Sequence, residues 1–355
     1  MRTIVSYQSS RIVELMDTRD DQRDAEWLKD ALQQAVMLEL STLPPYLCAM
    51  WSIEDQESDV ALAIRRIVFD EMSHLGLAGN LLTTIGGMPR LADAQTAPKY
   101  PGPLPGGVRP ELTVFLSGLT KESLDLFSRI EEPDDPLAES GSGHTSIGAF
   151  YAAIGEAFRQ HPELITGAHQ IRRFMSHHGE GNDVVEINSL AAAEKAIGII
   201  KEQGEGTTAS PENPHPGEEG ELAHFYVFRE LFHGRRLVRT SENPDRWDFT
   251  GDAIAMPSAL PMGKVPVGGW EAGGLPAPDD ETRQRLVEVN LQYSKMLSFL
   301  EEAWEATATA VMQSKLAAAV TRMRMLVEPS QLLMQRALPD GSGKTYGPEF
   351  RCVDP

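Results

Sequence analysis

The chain has 355 residues, 41% of them hydrophobic and 24% charged, enough for one large core or two ordinary ones. Its formal net charge of −20 argues against nucleic acid and anionic membrane surfaces as partners, because phosphate binding calls for clustered Lys and Arg. Two distant cysteines, Cys48 and Cys352, argue against a disulfide framework or a thiolate zinc site. The start, Met1 to Val5, lacks the apolar core of a signal peptide, and no apolar run approaches bilayer length, so a cytoplasmic protein is expected.

Residues 1–24 read as an N-terminal arm, unpatterned over the first twenty. From Ala25 to Ser52, apolar residues recur at three and four (Trp27, Leu28, Ala31, Leu32, Ala35, Leu38), which predicts a helix with Asp24 as its N-cap. Pro44 and Pro45 fall inside it and predict a kink or a split. A second helix is predicted from Asp59 to Ile85, stopped by Gly86-Gly87-Met88-Pro89. Residues 89–145 then form a long Pro- and Gly-rich connection with one short helical piece near Leu119–Ile130. Such a length needs a reason. A crossover in a four-helix bundle supplies one, since its second and third helices run the same way.

A third helix is predicted from Ser146 to Gln160. A polar connection follows, with His161, His169, His177 and His178. The fourth helix begins near Asn188 and breaks at Gln203-Gly204-Glu205-Gly206. After a surface excursion over 206–219, with His215 expected exposed, the helix resumes from about Glu218. Residues 239–278 are irregular. One or two long helices are expected between Asp279 and Ala337, packing on the bundle, and the last residues read as a tail.

Within this frame, Asp70-Glu71-Met72-Ser73-His74 stands out. Glu71 and His74 share one helix face among apolar neighbours, where a carboxylate and an imidazole are costly unless paired. A second Glu-x-x-His, Glu221 to His224, opens the resumed fourth helix. One such motif on each of two helices, with a Glu from each of the other two, is how ferritin-like bundles hold two metals. The first helix offers Glu39, its only acidic residue between Asp30 and Glu54, and the third offers Glu156, its only one. Glu156 has a solvated helix face as its alternative, and Glu39 a buried arginine partner. Glu221 follows an acidic loop (Glu218, Glu219) and competes with Glu205, with Glu202 a weaker candidate. Tyr46, Tyr151 and Tyr226 lie near the ligand positions and read as core aromatics. The expected cofactor is two divalent ions, iron foremost, with copper, manganese or zinc also compatible with imidazole and carboxylate donors.

The stretch Leu40-Ser41-Thr42-Leu43-Pro44-Pro45-Tyr46-Leu47 after Glu39 resembles the first helix of the ferritin-like domain in iminophenyl-pyruvate dimer synthases. Glu71-Met72-Ser73-His74-Leu75, Asn80-Leu81-Leu82 and Ile85-Gly86-Gly87-Met88-Pro89 resemble the second helix, Phe150-Tyr151-Ala152-Ala153-Ile154 the third, and Gln203-Gly204-Glu205-Gly206 with His224, Phe225 and Phe228 the fourth. The resemblance implies an all-α bundle with a two-metal site and favours Glu205 and His224 as functional. In the full-length synthases it implies oxidative coupling of two imines made from an aromatic amino acid. Those polypeptides are much longer, so haem binding and imine dimerisation do not carry over.

The resulting expectation is a ferritin-like four-helix bundle over 25–238, an irregular connection over 239–278, and C-terminal helices and tail over 279–355. Its expected activity is that of a metal-dependent oxidoreductase using dioxygen or peroxide on a small, amino-acid-derived metabolite such as an imine. A metal-binding or storage protein is the alternative. A homodimer is the expected assembly.

Overall fold

The computed structural model describes residues 10–134, 136–137, 146–173, 182–207, 209–215, 220–242, 245–272 and 277–353. Residues 1–9 of the expected arm, His177, His178, Glu218 and Glu219 lie outside them.

Two long helices form the centre. Helix α2 (Ala25–Ser52) starts where the Asp24 carboxylate accepts from the Glu26 and Trp27 amides. From Ala31 onward every residue of α2 is buried, so other elements surround it on all sides. Pro44 and Pro45 do not split it. Pro45 leaves the Ser41 carbonyl without its helical donor, and the Tyr100 hydroxyl donates to that carbonyl instead at 2.7 Å. Helix α3 (Asp59–Thr84) is capped by Ser58 and ends before Gly86, whose positive φ of 78° turns the chain out of the helix. The pair α2–α3 makes one of the two most extensive helix contacts among the described residues.

The other half of the bundle is assembled from short pieces. Helix α4 (Lys121–Ile130), capped reciprocally by Thr120 and Ser123, packs on α7 (His224–His233). Helix α5 (Ile147–Gln160) packs on α6 (Leu190–Glu205). Because α2 touches both α4 and α5, and α3 touches both α6 and α7, the third and fourth positions of the bundle are each filled by two helices in succession. The long connection thus contributes α4 to the bundle itself. The fourth position breaks after Gly206 and resumes at His224, later than the Glu218 expected from the pattern.

Outside the bundle, a short helix, α1 (Arg11–Met16), buries Ile12 and Leu15 in the stretch expected to be unpatterned. Strands β1 (Val238–Glu242) and β2 (Asp245–Asp248) pair antiparallel in the region expected to be irregular. The C-terminal helices number three among the described residues: α8 (Asp280–Glu305), α9 (Thr309–Arg324) and α10 (Val327–Leu333). They dock through Trp304. Gly79 of α3 leaves space that a β-carbon would deny to the Trp304 ring, and the indole donates to Asn80 Oδ1 at 3.0 Å. The last residues are more than a tail: Tyr346 and Phe350 are buried, and Glu349 accepts from the Trp270 amide at 2.6 Å. Among the described residues no helix is long and apolar enough to cross a membrane.

Candidate metal centre

Spacings of three and four bring Glu39, Thr42 and Tyr46 onto one face of α2, and Glu71 and His74 onto the facing side of α3. The breaks in the other two bundle positions fall at the same level. There Glu131, just past the end of α4, and His224, first residue of α7, complete the cluster.

Two groups of three donors result, Glu39–Glu71–His74 and Glu71–Glu131–His224, all buried and with Glu71 common to both. His74 Nδ1 lies 3.3 Å from Glu71 Oε1 and 3.7 Å from Glu39 Oε2. His224 Nδ1 lies 3.1 Å from the same Glu71 oxygen and 3.9 Å from Glu131 Oε2. The two imidazole rings are 5.7 Å apart.

Hydroxyls hold the outer oxygen of each carboxylate. Tyr151 donates to Glu39 Oε1, Tyr46 to Glu131 Oε1, and Thr42 to Glu71 Oε2. The remaining oxygens turn inward, towards the imidazoles. The imidazoles are oriented from behind in the same way. His74 Nε2 meets Gln203 Oε1 at 2.7 Å, and His224 Nε2 meets Asp70 Oδ2 at 3.0 Å. Both partners are acceptors, so each ring carries its proton on Nε2 and presents Nδ1 to the carboxylates.

The electrostatics are strained without a cation. Burial, then the neighbouring Glu71 charge, pushes Glu39 up to about 8 and Glu131 up to about 7. Burial opposes the His74 cation, but the adjacent Glu71 outweighs it and raises His74 to about 9. Burial opposes the Glu71 anion too, yet His74 and His224 hold its carboxyl well below the usual range.

A metal fits this donor set. His224 Nδ1 is buried, has no hydrogen-bond partner, and faces two carboxylate oxygens. A cation placed among them would satisfy all three. Carboxylates mixed with imidazoles suit iron, manganese or zinc better than calcium or magnesium. Beside the donors is a cavity of about 20 Å³, room for a water-sized molecule, whose lining runs out to half-buried Lys201.

Of the residues expected to bind metal, Glu39, Glu71, His74 and His224 come together. Glu156 does not. Its side chain is on the outer face of α5, bonded to Arg159 and Gln160. Gly148 lines the cavity, and at 1.5 Å per residue Glu156 is roughly 12 Å further along the axis. Glu221 also stays outside the cluster. It precedes α7, beside the bridge between Glu212 and Leu222, so helical spacing does not align it with His224; its Oε1 lies 3.5 Å from Arg66 Nε. Glu205 lines the small cavity, but its carboxylate accepts from the Gly148 amide at 2.7 Å and from Ser146 Oγ at 3.1 Å, at the start of α5. Burial raises its carboxyl to about 7. His215, expected exposed, is half-buried, with Nε2 3.0 Å from Glu202.

Glu131 is absent from the ligand set that the sequence predicts, and it directly follows the short helical piece near Leu119–Ile130. A signal for it exists: Leu124, Phe127 and Glu131 continue one helical stripe at three and four, and all three are buried. Asp70, Gln203 and the hydroxyls of Thr42, Tyr46 and Tyr151 carry no such signal, because their roles depend on which helix faces them.

A ferritin-like family model matches residues 32–233. The chain is 23% identical to dichlorochromopyrrolate synthase of Lentzea aerocolonigenes, a relative of the iminophenyl-pyruvate dimer synthase type; the match covers 90% of this chain and 35% of that protein. The chain therefore spans about a third of that relative's length. A crystal structure of a ferritin-like protein from Caulobacter vibrioides superimposes with a TM-score of 0.59 at 18% identity, covering 91% of this chain and 96% of the other. The match to the family model extends over more than half of the chain and contains all five clustered donors: the chain belongs to the ferritin-like family.

Proposed function

We propose that the protein is a metal-dependent oxidoreductase whose centre holds two ions, iron foremost, and works with dioxygen or peroxide on a small, amino-acid-derived metabolite such as an imine. The observation that carries this reading is Glu71. Its inward oxygen is shared by two buried donor groups, each completed by one carboxylate and one imidazole. When bound, the metal pair supplies the electrons that reduce the oxidant. The chain's own residues do the rest. Gln203 and Asp70 fix the tautomers of His74 and His224, while Thr42, Tyr46 and Tyr151 aim the carboxylates. Tyr46 and Tyr151 each keep a proton within hydrogen-bond reach of a ligand carboxylate. The apolar surroundings and the small cavity exclude bulk water and leave space for a diatomic oxidant.

The size of that cavity also favours a second reading, metal binding with no organic substrate. One experiment separates the two. The protein is loaded anaerobically with ferrous iron and mixed with oxygenated buffer, with and without imines generated from aromatic amino acids. The oxidoreductase reading expects oxygen uptake coupled to loss of the imine over many turnovers. A single iron-limited burst, indifferent to every organic addition, contradicts it and supports plain metal binding.

A further inference from the structure

A much larger cavity, about 300 Å³, lies between the α2–α3 pair and the C-terminal helices. It is separate from the metal centre. On α2 its wall includes Leu43, one position beyond Thr42; on α3 it includes Met72 and Leu75, one beyond Glu71 and His74. One position is a turn of about 100° around a helix, so α2 and α3 stand between the two sites. Leu300 of α8 and Leu316 and Met323 of α9 close the far side.

A pocket of this size with apolar walls is a poor place for water. Its volume and lining match small-molecule sites, which are apolar with a few polar groups for orientation. Here the cationic groups are Arg173 and Arg324, both exposed and both lining the cavity. Neither side chain makes a hydrogen bond or ion pair among the described residues. Elsewhere arginines such as Arg11, Arg159, Arg283 and Arg336 are paired, as expected in a chain with 52 acidic and 32 basic residues. Two guanidinium groups without a partner among the described residues, at one apolar cavity, match one ligand chemistry, a carboxylate on an apolar body.

We infer that this cavity binds a free organic monocarboxylate, its apolar body between the bundle and α8–α9 and its carboxylate on Arg173 and Arg324. The site is independent of the metal centre, and so is its test.

Decanoate and decan-1-ol are titrated into the full-length protein by calorimetry, alongside Arg173→Gln/Arg324→Gln and Ala319→Trp. Ala319 lines the cavity and is buried, so a tryptophan there fills it. The expected result is one decanoate per chain, with the alcohol and the double arginine variant each weaker by about tenfold or more, and no binding to Ala319→Trp. No decanoate binding to the unmodified protein overturns the inference. So does equal affinity for acid and alcohol, or unchanged binding by the double arginine variant. Both arginines are exposed, so that variant retains the fold and decides the matter even if Ala319→Trp does not fold.

Discussion

The candidate metal centre has two unlike halves. Glu39, Glu71 and His74 sit in the interior of two continuous helices, where the backbone alone sets their spacing. Glu131 and His224 sit at helix ends, where α4 stops and α7 starts. The two histidines are also backed differently, His74 by the neutral amide of Gln203 and His224 by the carboxylate of Asp70. A carboxylate behind an imidazole raises its basicity more than an amide does. The two donor groups therefore come from a regular half and an irregular half, with the more basic imidazole in the irregular one.

The largest test of this comparison is Glu71→Ala, which removes the donor both halves share. Metal analysis should show both ions lost; a variant retaining either at full occupancy breaks the account. Next, His74→Ala and His224→Ala should each lose one ion and weaken the other less. Loss of both ions from either variant would mean that the halves are not separable. Asp70→Asn and Gln203→Ala should weaken metal binding by about 10- to 100-fold, with the larger effect at Asp70. Equal effects in competition with a chelator would remove the asymmetry.

Acidity provides a further handle. Metal must displace protons from His74, raised to about 9, and from Glu39 and Glu131, raised to about 8 and about 7. Binding therefore releases protons near neutrality, and affinity should rise as pH goes from about 6 to about 9, by up to roughly tenfold per unit for each proton displaced. A flat profile would contradict the protonation states assigned here. The smallest expected effect is that of Glu156→Gln, which should leave both metal content and melting temperature unchanged, because its partners are surface groups.

The same division governs what the sequence disclosed. Helices α2 and α3, with their three donors, were legible because a 3.6-residue period fixes both burial and the face a side chain occupies. The tandem Pro44-Pro45 does not split α2, and what the sequence did not disclose is the Tyr100 hydroxyl that reaches the freed Ser41 carbonyl. Glu221 looked like the twin of Glu71, but four residues carry helical geometry only inside a helix, and α7 begins at His224. Glu131, and not Glu156, joins the buried donor cluster because the third position of the bundle is two helices, and the cluster lies at their junction. Within α5 alone, the isolation of Glu156 looked like burial. Its outward phase, beside Arg159, was set by which face Tyr151 and Phe158 bury.

The most direct test compares the metal content of Glu131→Ala and Glu156→Ala with that of the unmodified protein, each purified from iron-supplemented cells and confirmed as folded. Two ions per chain are expected in the unmodified protein and in Glu156→Ala, with the ion beside His224 lost from Glu131→Ala. Full metal in Glu131→Ala together with loss from Glu156→Ala would contradict the centre described here.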